Sequence, residues 1–148
     1  EGLLKRLEES VFQLKPKTIF LLIGTNDLAL LDTTPKRIAG NIREICREIV
    51  DRLPQSTLVL ESIYPTISPV FSEITPEAMK ARANNVIDYT NGLLQQVAAE
   101  LGIVYLDINR HLKDETGQLQ PDYTRDGLHL TPKGYTIVQQ CIKPFIEG

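Results

Sequence analysis

The segment Thr18-Ile-Phe-Leu-Leu-Ile-Gly-Thr-Asn-Asp27 carries the strongest structural signal in this sequence. Residues 19–23 are five large apolar residues in a row, too short for a separate helix and without the polar alternation of a half-exposed strand. They predict a strand that is buried on both faces of a parallel sheet. The polar residues after Gly24 would then stand at the carboxyl end of that strand, where open α/β sheets bind ligands. Asn26 is therefore the first candidate for a functional residue.

The rest of the sequence alternates between strand and helix signals. Two further short apolar runs predict strands, at 57–62 and 103–107. Apolar residues at helical spacing predict four helices, at 2–12, 34–53, 76–100 and 132–145. Each of the last three helices begins at a Thr-Pro pair, in which the threonine is the predicted N-cap and the proline is the first helical residue. This alternation predicts an α/β fold with a parallel sheet and right-handed crossovers, in a single domain over residues 1–148.

The number of predicted strands is small for such a sheet. The sequence begins on a helix and shows only three strands, and the most hydrophobic of them, at 19–23, would lie at or near an edge. An exposed apolar edge strand promotes aggregation, and natural folds cover it. We therefore expect at least one further strand on the amino-terminal side, or one that another chain supplies.

The composition excludes several classes of protein. The sequence has 148 residues, of which 42% are hydrophobic, and this fits one globular domain with a core. The formal net charge is −3 and the cationic residues are scattered among acidic ones, so nucleic acid is not an expected partner. No apolar run has the length of a membrane span, and no signal peptide is recognisable, so we expect a cytoplasmic location. Cys46 and Cys141 are expected to be reduced core residues.

Asp126 and His129 form a second candidate site. They lie three residues apart in a loop directly before the last predicted helix. This spacing allows the carboxylate to reach one ring nitrogen while the other faces a cleft, as in a general base and its orienting group. A simpler interpretation stays open, in which Asp126 is a turn residue beside Gly127 and His129 is an ordinary surface residue. The other histidine, His111, lies in a short charged segment and is expected at the surface.

The two candidate sites gain weight when they are considered together. Asn and Asp suit loops for backbone reasons, and a carboxylate three residues from a histidine occurs often by chance. Both features are, however, predicted at the carboxyl end of the same parallel sheet. An Asn amide at that position can donate a hydrogen bond to a developing oxyanion, which is worth about 3 kcal/mol of barrier in other hydrolases.

Two motifs of this sequence resemble those of a known family. Gly24-x-Asn26-Asp27 after a buried strand, and Asp126-Gly-Leu-His129-Leu-Thr-Pro-Lys-Gly-Tyr135 near the end, resemble the third and fifth sequence blocks of the SGNH, or GDSL, hydrolases. Within that family the chain is most similar to the platelet-activating-factor acetylhydrolase-like esterases. The resemblance implies a three-layer α/β/α fold with a flavodoxin-like parallel sheet, from which the first strand is missing here.

The resemblance also implies a mechanism. His129 would be the general base that activates a serine, and Asp126 would orient its ring. The serine would attack the carbonyl of a small-molecule ester and form an acyl-enzyme, which a water activated by His129 would hydrolyse. Asn26 would donate its side-chain amide to the oxyanion, and Gly24 would allow the backbone to approach closely. No metal or organic cofactor is implied.

The serine nucleophile of this family is not found at its expected place. The Gly-Asp-Ser block after the first strand and the glycine of the second block are both absent. None of the five serines follows a glycine-rich strand end: Ser10, Ser56, Ser62, Ser68 and Ser72. The missing strand and the missing serine are most simply explained by one amino-terminal segment outside this sequence. We therefore expect these 148 residues alone not to hydrolyse esters, whereas the full-length protein does.

Three functions stay open on sequence alone. The first is a serine esterase for short acyl or acetyl esters, with the loop at 64–71 along the rim of its site. The second is a non-catalytic descendant of the fold that binds a ligand or a protein partner. The third is a thioesterase or carbohydrate deacetylase, which would keep the same residues and act on a different substrate. Related esterases often form dimers, and a homodimer is compatible with this sequence.

Overall fold

The computed structural model describes residues 6–30, 32–67 and 74–147. Three strands form a parallel sheet in the order β1-β2-β3: β1 (Thr18–Leu21), β2 (Thr57–Glu61) and β3 (Val104–Leu106). In register, Thr18 pairs with Thr57 and Val59 pairs with Val104. Because all three strands run in the same direction, their carboxyl ends lie along one edge of the sheet.

In the described residues, six helical segments connect and cover these strands: α1 (Glu8–Phe12, a wide π-type turn), α2 (Pro35–Arg52), α3 (Pro76–Ala81), α4 (Asn84–Leu101), α5 (Asn109–Leu112) and α6 (Pro132–Glu147). Two short 3₁₀ turns, Asp27–Ala29 and Pro121–Tyr123, accompany them. The predicted caps of α2 and α3 are confirmed. Thr34 Oγ1 accepts from the N–H of Arg37 at 3.2 Å, and Thr75 Oγ1 accepts from the N–H of Ala78 at 3.3 Å. These bonds satisfy N–H groups that the first helical turn leaves unpaired.

The helices form a layer on each face of the sheet. On one face, α2 and α4 pack together and bury the first core, which includes Ile19 and Leu21 of β1. On the other face, the ring of Phe20 meets that of Phe145 of α6 edge-on, with centroids 6.3 Å apart. A second core, built around Leu112, Leu119 and Ile108, lies beneath α6. This is the three-layer α/β/α arrangement.

β1 lies at an edge of the sheet, as predicted. Within the described ranges it pairs only with β2. The prediction that residues 19–23 are buried on both faces is only partly correct, because the strand ends at Leu21 and 38% of Leu22 is exposed. An edge strand has no neighbour on one side, so its last apolar residues keep contact with solvent.

The prediction of one helix over residues 76–100 is wrong. The structure has two helices, and Ala83 between them is extended, with φ −61° and ψ 144°. The Thr66 hydroxyl donates to the Arg82 carbonyl at 2.8 Å, and the Asn84 carboxamide bonds both the N–H and the carbonyl of Thr66. These long-range bonds stabilise a break that the spacing of apolar residues does not reveal.

Both cysteines are free thiols. Cys46 is fully buried in the first core, and burial raises the pKa of its thiol to about 12. Cys141 is half-buried and packs against the second core. None of the helices in the described residues combines the length and the apolar composition that a membrane crossing needs.

Candidate active site

The loop before α6 brings Asp126 and His129 into direct contact. Asp126 Oδ2 lies 2.5 Å from His129 Nδ1, and Asp126 Oδ1 accepts from the backbone N–H groups of Leu128 at 2.9 Å and His129 at 2.8 Å. The carboxylate therefore fixes both the ring and the backbone that carries it. The other ring nitrogen, Nε2, has no hydrogen-bond partner among the described residues, and 76% of the His129 side chain is exposed.

The surroundings of Asp126 stabilise its charged form. Partial burial by itself would raise the pKa of this carboxyl, but the hydrogen bonds from the His129 ring and from two backbone N–H groups outweigh it. The pKa falls from 3.8 to about 2. Asp126 is therefore an anion at neutral pH, as required of a group that orients an imidazole and stabilises the imidazolium.

A glycine makes the shape of this loop possible. Gly127 has φ +90°, a conformation that residues with a Cβ rarely adopt. Its N–H donates to the Thr124 hydroxyl at 2.9 Å, and its carbonyl accepts from the N–H of Ile67 at 3.0 Å. The loop is thus anchored to the segment that follows β2, at the carboxyl end of the central strand.

The second candidate site is the turn after β1. Gly24 is buried with φ +119°, a conformation that favours glycine, and a Cβ built on it would lie 2.9 Å from Ile63 Cδ1, so that the Ile63 side chain would have to move. The Gly24 carbonyl accepts from the N–H of Leu28 at 3.0 Å and closes the turn. Asn26 stands at the start of the following 3₁₀ turn with its side chain exposed.

The segment after β2 connects the two sites. Ile67 bonds the Gly127 carbonyl, and Thr66 bonds the Arg82 carbonyl through its hydroxyl. Arg82 in turn donates through Nε to the Thr25 carbonyl at 3.0 Å. The Asn26 turn and the His129 loop therefore flank the same short segment on the strand-end side of the sheet. No hydrogen bond joins Asn26 to His129 within the described residues.

An open groove of about 850 Å³ lies beside the end of β1. It is lined by the turn that contains Gly24 and Asn26 and by one face of α2, including Ile38 and Ile42. His129 is not among the described residues that line it. The structure therefore brings Gly24 and Asn26 together at one opening, and Asp126 and His129 together in the neighbouring loop.

None of the described serines is placed to act as a nucleophile. Ser62 is fully buried and its hydroxyl accepts from the N–H of Asn109 at 2.8 Å. Ser56 precedes β2, at the opposite end of the sheet from the site, and donates to the Pro16 carbonyl at 2.6 Å. Ser10 is exposed on α1. Ser68 and Ser72 lie outside the described residues, as does half of the predicted rim at 64–71.

The remaining candidates fall outside the site. His111 lies exposed on α5, as predicted, and its Nε2 is 3.3 Å from Arg110 Nε. Tyr64, the first residue of the predicted rim, packs against the second core and donates its hydroxyl to Glu61 at 2.9 Å. Among the described residues, acidic, histidine and cysteine side chains form no group of three or more that could hold a metal ion.

Arg82 is the residue next to the site that the sequence interpretation missed. It is buried, with 8% of its surface exposed, and its guanidinium reaches the Asn26 turn. The available signal was its spacing, because Arg82 lies three residues after the buried Met79 on the predicted apolar face.

Comparison with known proteins adds the family. Residues 1–137 match the GDSL-like lipase/acylhydrolase family. The chain is 33% identical, over 143 residues, to a bovine (Bos taurus) isoamyl acetate-hydrolyzing esterase 1 homolog, with 89% of this chain and 56% of that protein covered. It is 29% identical, over 129 residues, to an N-acylneuraminate cytidylyltransferase of Escherichia coli, covering 87% of this chain and 28% of that protein. The chain thus spans about half the length, or less, of these relatives.

Solved structures show the same fold. A protein from Streptococcus pneumonia whose name refers to platelet activating factor superposes with a TM-score of 0.77 at 30% identity, over 88% of this chain and 59% of that one. The α/β fold class predicted from the sequence is confirmed, since solved GDSL-like hydrolases share the parallel sheet and its helices.

Proposed function

This chain belongs to the GDSL-like lipase/acylhydrolase family, and on that premise we propose that it carries the general base, the orienting carboxylate and one oxyanion donor of a serine esterase. The contact between Asp126 Oδ2 and His129 Nδ1 supports this proposal most strongly. It leaves Nε2 of the exposed ring as the nitrogen that can exchange protons with a substrate or nucleophile.

Each of the site residues has a defined part in the proposed reaction. His129 Nε2 takes the proton of a serine hydroxyl as its oxygen bonds to the ester carbonyl carbon, and Asp126 stabilises the imidazolium. The Asn26 amide, with Gly24 keeping the adjacent backbone close, donates to the tetrahedral oxyanion. The ester bond then breaks and the alkoxide leaves with the proton from His129. Water, activated by the same nitrogen, releases the acyl group and restores the serine.

We place the nucleophile outside these 148 residues, on a strand beside β1. The hydroxyls of Ser56 and Ser62 are engaged in hydrogen bonds away from the site, and β1 has no described neighbour on its outer side. Adjacent parallel strands end at the same edge of a sheet, so a strand added there would end beside Gly24 and Asn26. A serine directly after that strand would enter the groove that these two residues line.

The substrate class that fits best is a short acyl ester, with acetyl esters first. The relative of highest identity given above is an isoamyl acetate-hydrolyzing esterase homolog, which favours a small acyl group. The openness of the site agrees with a small-molecule substrate, since both the Asn26 and the His129 side chains are exposed.

The decisive test replaces each histidine of this chain in the full-length protein. His129→Ala should lower kcat/KM for 4-nitrophenyl acetate by about 10⁴-fold, because the base that activates the nucleophile is lost. His111→Ala is the matched control, since it is the same change at another exposed histidine, and it should leave turnover unchanged. Both variants should stay folded, with melting temperatures within about 3 °C of that of the parent.

Near-normal turnover by the His129→Ala variant would contradict the proposed base. A full-length protein that shows no turnover of short acyl esters or thioesters, but still binds them, would instead favour the non-catalytic descendant of the fold.

A further inference from the structure

Arg82 sits at the break between α3 and α4 with its guanidinium directed at the turn after β1. Nε donates to the Thr25 carbonyl at 3.0 Å, Nη1 to the Ala78 carbonyl at 3.1 Å, and Nη2 lies 3.5 Å from Asn26 Oδ1. The Thr66 hydroxyl holds the Arg82 carbonyl from the other side. Thr66 thus holds the backbone of Arg82, and two carbonyls hold its guanidinium. The remaining nitrogen, Nη2, faces the carboxamide of Asn26.

The chemistry of the guanidinium determines how this carboxamide is oriented. Arginine has five N–H donors and no acceptor, so the atom of Asn26 that faces it must be the oxygen. The NH₂ group of the same carboxamide then points away from Arg82. An asparagine on an exposed turn would otherwise be free to rotate and present either atom.

Arg82 also brings an uncompensated positive charge to this turn. Within the described residues, no carboxylate lies within ion-pair distance of its guanidinium, although the residue is buried. A buried cation without a counter-ion favours the development of negative charge nearby. The cation also polarises the Asn26 carboxamide, which makes its NH₂ group a stronger donor.

We propose that Arg82 is a positioning residue that fixes the Asn26 carboxamide with its NH₂ group toward the reacting carbonyl and makes it a stronger donor. The inference rests on the proposed function, in which Asn26 is an oxyanion donor. It adds a residue from the junction of α3 and α4, outside both sequence motifs, to the machinery of the reaction.

A double-mutant cycle in the full-length protein tests this role. Asn26→Ala should lower kcat for 4-nitrophenyl acetate by about 100-fold with little change in KM. Arg82→Lys keeps the charge but loses the fork that reaches three oxygens, and should lower kcat by about 10-fold. In the Asn26→Ala background, Arg82→Lys should change kcat less than about 2-fold, because the group it positions is gone. Arg43→Lys is the matched control, at an arginine paired with Glu100 away from the site, and should leave kcat unchanged.

The outcomes separate the two proposals. If Asn26→Ala leaves kcat unchanged, Asn26 is not an oxyanion donor, and the proposed donor and the role of Arg82 both fail. If Asn26→Ala lowers kcat as expected, but Arg82→Lys lowers it equally with and without Asn26, only the role of Arg82 is overturned. In that case Arg82 acts on the structure in general and not through the carboxamide.

A measurement that needs neither turnover nor an Arg82 variant completes the test. Asn26→Asp places a carboxylate at the position of the carboxamide oxygen, where Arg82 would pair with it. Its melting temperature at pH 7 should exceed that of Asn26→Ala by about 2–4 °C at low salt, and the difference should shrink in 1 M NaCl. Equal melting temperatures at low salt would show that Arg82 does not act on this side chain.

Discussion

The two halves of the candidate site are built in different ways. Asp126 bonds Thr124, Leu128 and His129, all within three residues of it, and these contacts fix the His129 ring. The Asn26 turn, by contrast, depends on distant parts of the chain. Its backbone packs on Ile63, and its side chain meets Arg82, 56 positions away. The contact between Asp126 and His129 is local, although Ile67 anchors the loop that carries it, whereas the Asn26 turn is an assembly of separate elements.

The two halves of the site therefore depend to different degrees on the packing of the rest of the protein. A carboxylate and an imidazole that pair within four residues depend less on the packing of distant elements. A turn oriented by a side chain from the junction of α3 and α4 keeps its geometry only when the sheet and these two helices are correctly packed. Changes to the His129 loop should therefore affect chemistry far more than stability, whereas changes around Asn26 should affect both.

Among the changes that test this comparison, Asp126→Asn in the full-length protein should have the largest effect, and that effect should be on kcat. The variant keeps a side chain of the same shape but loses the anion that fixes the imidazole tautomer, so kcat should fall by about 10³–10⁴-fold. Asp122→Asn is the matched control, because Asp122 is exposed in the same region and pairs only loosely with Lys133, at 3.4 Å. Its kcat on 4-nitrophenyl acetate should be that of the parent. A loss of less than 10-fold in Asp126→Asn would mean that the local loop does not provide the base.

The same difference between local and distant contacts explains which features could be predicted from the sequence. The Thr34-Pro35 cap of α2, the Thr75-Pro76 cap of α3 and the pairing of Asp126 with His129 all depend on neighbours along the chain, and all three are found in the structure. The family resemblance was carried by the same kind of local motif and is confirmed. Short spacings were sufficient wherever the partners lie within a few residues.

The features that could not be predicted all depend on distant residues. The helix break after Arg82 is held by Thr66, 16 positions earlier, and residues 76–100 carry an unbroken helical pattern of apolar residues that conceals it. The backbone at Ile63 is bonded by the buried carboxamides of Asn91 and Asn109. Neither asparagine differs locally from one on a solvent-facing helix position. The exposure of Leu22 likewise follows from strand order, which no window of sequence contains.

Gly24→Ala should have a smaller effect, and that effect should be on the free energy of unfolding. The new Cβ would meet Ile63 Cδ1 at 2.9 Å and force the backbone from φ +119°, so the free energy of unfolding of the full-length protein should fall by about 1–3 kcal/mol. Gly92→Ala is the control, since Gly92 lies exposed within α4 with nothing within 4 Å of its added Cβ. That change should raise stability by about 0.5–1 kcal/mol. Denaturant titration measures both, and equal effects of the two variants would mean that the Asn26 turn does not depend on packing against the sheet.

The smallest expected effect is a pH dependence that only the local half of the site should show. The pKa of Asp126 is lowered from 3.8 to about 2 in the folded protein, so its ionised form is stabilised by folding. That stabilisation is fully present above about pH 4 to 5 and is lost as the pH falls through 2. Because the group is partly exposed, the gain is modest and should amount to about 1–3 °C in melting temperature.

The melting temperature of Asp126→Asn in the full-length protein should therefore lie below that of the parent at pH 6, and the gap should close toward pH 2. Asn26→Ala is the comparison variant, because the change removes no titrating group and its difference from the parent should be the same at both pH values. Thermal melts at matched ionic strength measure all three proteins. A gap for Asp126→Asn that persists unchanged at pH 2 would show that the carboxylate is not held as an anion by the His129 loop, and the two halves of the site would no longer differ in this respect.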